Sequence, residues 1–395
     1  MYYPKYGFSI DQTQSDPNNV ISYIGLNKDY TPVHMDYDND VFDYGDWGNA
    51  FFIKNLRPCM LNYNGTEAYL LDPNDYTKKL DGTDSDATNS DFAGNVMVGI
   101  PKVYFKIVPI DDDHCNFYFS ETKRDGYHCW AHINNYGDEV PYMYMPAYDG
   151  SNVDSVLRSI SGLDAIWKAE NIQIIADYAY ANNQDDDNIW SMNTYSDWLL
   201  IVLLSLLISK TTDSKTAFGK GNYSARSTQN YGMIKSGTMD QKGLFWGSTD
   251  NTIGVKIFGI ENFWGNINRL MYGLINYYGT QKVKLTYGTQ DGSTVEGYNF
   301  TGDGYIEAGS TLRGSNRLYY LSKMTFTENG IFIKDISGTA GTTYGNTIPY
   351  YDHSKLEIAC IGNNTGYTLL LGIYFITNSS SYAGGSPKCL PKLVS

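Results

Sequence analysis

The 395-residue chain carries little charge. Asp, Glu, Lys and Arg make up 18% of it, against about a quarter in an ordinary soluble domain. The charge present runs acidic, with 43 Asp and Glu against 29 Lys and Arg and a net of −14. Neutralising a phosphate backbone needs a clustered basic surface. No such cluster appears, so general nucleic-acid binding is excluded. Cysteine is scarce too. Cys59, Cys115, Cys129, Cys360 and Cys389 form no C-x-x-C pair, which removes zinc-ribbon and thioredoxin-type chemistry. They are expected as buried, reduced, small apolar residues. Nothing is long enough to span a membrane. The apolar run at 198–208 (WLLIVLLSLLI) has eleven residues, roughly 17 Å as a helix against about 30 Å of hydrocarbon. No membrane insertion is expected. The opening residues Met1-Tyr2-Tyr3-Pro4-Lys5-Tyr6 hold no apolar run, so no secretory leader is expected either. No solenoid-period repeat and no H-E-x-x-H, G-x-S-x-G or G-x-G-x-x-G pattern occurs.

Metal-binding patterns are equally thin. His128 and His132 stand four apart, which would put both on one helix face, but their surroundings read as strand or loop. Asp185-Asp186-Asp187-Asn188 offers oxygen ligands for calcium, and a solvated acidic loop is the favoured reading. No metal and no cofactor are therefore expected, and paired hydrolytic carboxylates cannot be picked out from so many acidic residues.

What the chain does have is aromatic and flexible. Aromatics reach 15%, with 36 tyrosines beside 39 glycines. Tyrosine gives rigid contact area with a polar tip, which suits a binding surface, and it also favours β-strands. The fold class is α+β, strand-rich with few helices. Short strands and turns are expected up to about residue 95, with turn clusters at 16–19, 36–40 and 82–86. Residues 97–109 read as one strand, paired with 117–119 across Asp111-Asp112-Asp113. The run at 198–208 is apolar on every side and is read as a core helix, with Thr194 and Asp197 as its capping signal. From Leu244 onward the chain looks β-rich, with an apolar strand at 369–376 near the end.

The most informative stretch is Ile260-Glu261-Asn262-Phe263-Trp264-Gly265-Asn266-Ile267-Asn268-Arg269-Leu270. It resembles the N-x-W-G-N-x-W-x-W phrase of C-type-lectin-like domains of the formylglycine-generating-enzyme type. That fold occurs in phage tail receptor-binding proteins, including the variable proteins targeted by diversity-generating retroelements. Asp125-Gly126-Tyr127-His128 and Val140-Pro141-Tyr142-Met143-Tyr144-Met145-Pro146-Ala147-Tyr148 resemble the phrases that open the same domain. Arg57-Pro58-Cys59, the segment 69–75 and Asn95-Val96-Met97-Val98 resemble phrases that precede it. Two later tryptophans of the family phrase are missing here, where Asn268 and Leu270 stand.

The resemblance implies a β-rich attachment region at 1–95 and a C-type-lectin-like ligand-binding domain at 96–395. It implies a non-catalytic adhesion protein in a virion tail, made in the host cytoplasm. Its partners would be a bacterial surface receptor, protein or glycan, and other tail proteins, with the chain itself a homotrimer. The contact residues would lie near the C-terminus, at Asn363, Asn364, Thr365 and Tyr367 before the strand at 369–376, and at Asn378, Ser379, Ser380 and Tyr382 after it. Asn, Ser and Tyr in loops supply adaptable hydrogen bonds and rigid aromatic area. The alternatives are a tail enzyme, either a glycan hydrolase or a formylglycine-type oxidase using Cys360 and Cys389, and a purely structural tail or baseplate protein.

Overall fold

The computed structural model describes residues 6–184, 187–225, 232–311, 321, 323–335, 354–361, 373–377 and 383–393. The chain is strand-rich with few helices, and its strands pair antiparallel in several short sheets. A four-stranded sheet runs in the order Ile21–Ile24, Tyr6–Asp11, His114–Ser120, Tyr104–Pro109. Its period-two pattern is plain in the first strand. Tyr6, Phe8 and Ile10 point into the core, where Phe8 stacks on Phe117 with ring centroids 4.7 Å apart. The expected pairing across Asp111-Asp112-Asp113 is present, with Phe117 opposite Ile107 and Phe119 opposite Phe105. The single strand expected at 97–109 is instead two, Gly94–Pro101 and Tyr104–Pro109, in different sheets. Pro101 gives the ladder no N–H to continue with, and the chain changes sheet at Lys102-Val103.

The largest sheet has seven strands, in the order Trp190–Met192, Pro387–Cys389, Tyr142–Pro146, Gly94–Pro101, Arg57–Asn62, Glu67–Asp72, Asp75–Lys79. Residue 95 lies inside one of its central strands, which pairs with Arg57–Asn62 on one side and Tyr142–Pro146 on the other. The regions 1–95 and 96–395 thus share a sheet and a core cluster. A strand from near the C-terminus, Pro387–Cys389, is inserted between Tyr142–Pro146 and Trp190–Met192. The third main sheet runs Ile306–Thr311, Thr280–Val283, Arg269–Tyr277, Leu356–Ile361, Ile373–Thr377.

The helix Tyr195–Ser209 is buried along its whole length. A uniformly apolar surface has no solvent face to present, so the helix is packed on all sides. Its start is fixed by a capping box. Thr194 Oγ1 accepts from the Asp197 N–H, and the Asp197 carboxylate accepts from the Thr194 N–H at 2.7 Å. Lys388 donates to the same carboxylate at 2.6 Å and to Thr194 Oγ1 at 3.2 Å, tying the C-terminal strand to the helix start. Lys210 ends the helix in the left-handed conformation. No described helix is long and apolar enough to cross a membrane.

Candidate functional site

The stretch 260–270 folds as a tight knot. Ile260–Glu261 pairs briefly with Lys256–Ile257, and the backbone then turns through left-handed positions at Asn262 (φ 53°), Gly265 (φ 86°) and Asn266 (φ 61°). Asparagine tolerates that conformation because its short amide bonds locally. Gly265 is required, since a Cβ there would fall 2.9 Å from the Asn222 backbone nitrogen. Trp264 is buried. Its indole N–H donates to the Lys220 carbonyl at 3.1 Å, and its ring meets the edge of Phe218.

The turns bring three donors onto one carboxylate. Asp149 accepts from Asn266 Nδ2 at 2.8 Å, from Asn262 Nδ2 at 3.1 Å and from Arg269 Nη2. Arg269 also donates to the Asn262 carbonyl at 2.9 Å. The side chains of Asp149 and Arg269 are 1% and 3% exposed. A charge pair this deep persists only when its remaining hydrogen-bonding capacity is met, which the two asparagines do for the carboxylate. Asn266 extends the network, its amide oxygen accepting from the Ile234 N–H at 2.9 Å and from Asn222 Nδ2 at 3.2 Å.

A second buried cluster braces the other side of the phrase. Glu261 accepts from the backbone N–H groups of Gly237 and Met239, both at 2.9 Å. Lys256 donates to the Met239 carbonyl at 3.0 Å and sits 3.7 Å from the Tyr76 ring centre. Asp240 accepts from Ser161 at 2.7 Å and from the Tyr148 hydroxyl. Burial pushes Glu261 up and Lys256 down, each opposed by the other's charge. Glu261 and Lys256 are sealed from solvent and cannot meet a substrate.

The eight expected contact residues, Asn363, Asn364, Thr365, Tyr367, Asn378, Ser379, Ser380 and Tyr382, all lie outside the described residues. So does the first half of the expected strand at 369–376; its second half falls within the observed strand Ile373–Thr377. The described residues that flank those segments meet at the knot. Ile361 pairs with Ile373, and both Ile361 and Gly384 lie opposite Arg269. The Gly384 N–H donates to the Asn268 carbonyl at 2.7 Å, and the Leu270 N–H to the Gly384 carbonyl at 2.9 Å. The sequence showed the Asn-x-x-x-Asn spacing of the phrase but not its partner. Asp149 and Arg269 are 120 positions apart, and no local pattern links them.

Residues considered for chemistry have structural partners. Cys360 lies in the five-stranded sheet and Cys389 in the seven-stranded one, both buried and neither in a disulfide. Burial pushes the Cys389 thiol well above its ordinary value, which suppresses the reactive thiolate. His128 stacks on Trp130 with ring centroids 4.7 Å apart, while His132 is fully buried, with Nε2 3.1 Å from the Ile100 carbonyl. In the acidic loop, Asp187 pairs with Lys392, and Asp185 and Asp186 are outside the described residues. Among the described residues no group of three or more His, Cys, Asp or Glu could hold a metal ion. No protein-family model matches the chain, and no curated protein matches it.

Proposed function

We propose that this chain is a receptor-binding or adhesion protein of a bacteriophage tail, which recognises a bacterial surface ligand through its C-terminal segments without catalysis. Its fold would be C-type-lectin-like, with the chain assembled as a homotrimer on the virion and joined to other tail proteins. Many weak contacts would then act together through copy number. The observation that carries this reading is the knot around Asp149. The phrase with the family resemblance forms a solvent-excluded base, and of the described flanks of the polar C-terminal segments, Ile361 and Gly384 lie opposite Arg269 and Ile373 pairs with Ile361. A rigid base carrying changeable polar segments is the arrangement a recognition protein needs. The separation of Cys360 and Cys389 into different sheets speaks against the oxidase alternative.

The test is a Tyr367→Ala, Tyr382→Ala double variant of the full chain, measured for melting and for adsorption to bacterial cells that the parent protein binds. The expected result is unchanged melting with adsorption lost. Unchanged adsorption would remove the C-terminal segments from the contact surface, and a parent protein that adsorbs to no bacterium carrying the gene's phage would remove the adhesion reading.

A further inference from the structure

The seven-stranded sheet has a second face that the knot does not use. Along its central strands Met60, Val96, Val98, Met143 and Met145 are buried in the main core. The alternate positions form a small separate cluster of Cys59, Leu61, Met97, Tyr144 and Cys389. At one end of that cluster a cleft of about 590 Å³ opens to solvent, lined in part by Arg57, Thr66, Glu67, Tyr142, Tyr144 and Leu393. That volume lies within the range of small-ligand sites, about 300–1,000 Å³.

The sequence builds this wall by strand register. Arg57, Gly99 and Tyr144 lie directly opposite one another on three adjacent strands. A Cβ on Gly99 would stand 3.2 Å from the Tyr144 ring and 3.3 Å from both the Tyr142 ring and Arg57 Cβ. Glycine therefore lets two tyrosine rings and an arginine stem close over the middle strand. Glu67 completes the wall. One carboxylate oxygen accepts from the Tyr144 hydroxyl at 2.9 Å, and the other from Arg57 Nη2. The guanidinium carbon of Arg57 stands 5.2 Å from the Tyr142 ring centre. The pair is partly open to the cleft, with side chains 38% and 19% exposed for Arg57 and Glu67. Arg57 Nε is buried without a hydrogen-bond partner.

The chemistry of this wall selects its ligand. Lys392 also lines the cleft, but its ammonium is paired with Asp187; an anion would meet the Glu67 carboxylate and a cation the Arg57 guanidinium, so neither sign of net charge is favoured. A carboxylate and a guanidinium side by side, against tyrosine, match neighbouring hydroxyls that donate to one and accept from the other. The C–H groups of the same molecule would pack on aromatic surface. We propose that this cleft is a binding site for a neutral saccharide, with Glu67 and Arg57 bonding adjacent hydroxyls and Tyr142 supplying the apolar contact. The proposal uses none of the residues at 363–382 and stands whether or not the chain belongs to a tail.

The experiment uses the full chain and saturation-transfer NMR with the methyl glycosides of glucose, galactose, mannose and N-acetylglucosamine. Glucuronic acid and glucosamine serve as charged comparators. Binding of at least one neutral glycoside is expected, in preference to both comparators. Glu67→Gln and Tyr142→Ala should each weaken it about tenfold or more, as loss of a charge-assisted hydrogen bond or an aromatic contact would. Thr66→Trp, on the exposed rim, fills the cleft without touching the ion pair and should abolish binding with melting unchanged. It keeps the test decisive if either other variant fails to fold. The Tyr367→Ala, Tyr382→Ala variant should bind the glycoside as the parent does. The proposal is overturned if none of the four glycosides binds, if a charged comparator binds as tightly, if Thr66→Trp binds like the parent, or if the C-terminal double variant loses glycoside binding.

Discussion

Asp149 shows how much can hang on one side chain. Its carboxylate is the shared acceptor for Asn262, Asn266 and Arg269, and all of these groups are buried. Truncating it in Asp149→Ala leaves a guanidinium in the interior without its counter-charge, which costs about 3–5 kcal/mol. Denaturant unfolding should show a midpoint shift of that size, and the double variant Asp149→Leu, Arg269→Met should recover much of it. A single variant as stable as the parent would contradict the knot as an anchoring element. His132 acts at the same scale through protons. Burial is the main cause that holds its imidazole down at about 3, against an ordinary value of 6.5, with the Lys388 and Lys102 charges adding to it. The unfolded chain binds the proton first, so stability from this group is present above pH 6.5 and is lost as pH falls from there toward 3. The full difference is on the order of 5 kcal/mol. Melting temperature measured across that acid range should therefore fall less steeply in His132→Gln than in the parent, and parallel curves would reject the assignment.

Among the elements, the buried helix Tyr195–Ser209 is the one whose start is most fully specified. Thr194 serves two partners, the Asp197 N–H and Lys388 Nζ. Thr194→Ala removes both, and the expected loss is about 1–2 kcal/mol, at the upper end for an N-cap. Thr194→Ser should restore most of it, and chemical denaturation of the two variants checks the pair. The helix was legible beforehand because length, uniform apolarity and a capping signal all agreed. The helix Ile172–Tyr180 was not anticipated, although its signal was present. Ile172, Ile175, Ala176 and Ala179 fall at helical spacing and are its buried residues, and Asn171 caps it by accepting from the Ile174 N–H at 3.2 Å.

For the whole molecule, the open quantity is copy number. The family resemblance implies a homotrimer, and the sequence has no heptad segment to drive one. Light scattering on the purified chain should give three copies, and a monomer at micromolar concentration would end the trimer reading and weaken the avidity argument with it. The sequence by itself determined the local choices. It set the strand-rich class through β-favouring residues between glycine-marked turns, the Phe117–Phe119 pairing with its neighbour, and the buried helix. Each of these is written within a few residues of chain, where period, capping and turn chemistry act. Only the tertiary structure decided that Asp149 faces Arg269, that Lys388 meets Asp197, that residue 95 sits inside a shared sheet, and that Arg57, Gly99 and Tyr144 align into one cleft wall. Those partners come from distant parts of the chain, and no local period encodes a register between them. Their pairing follows from which apolar faces must close against each other, a condition set by the whole chain at once.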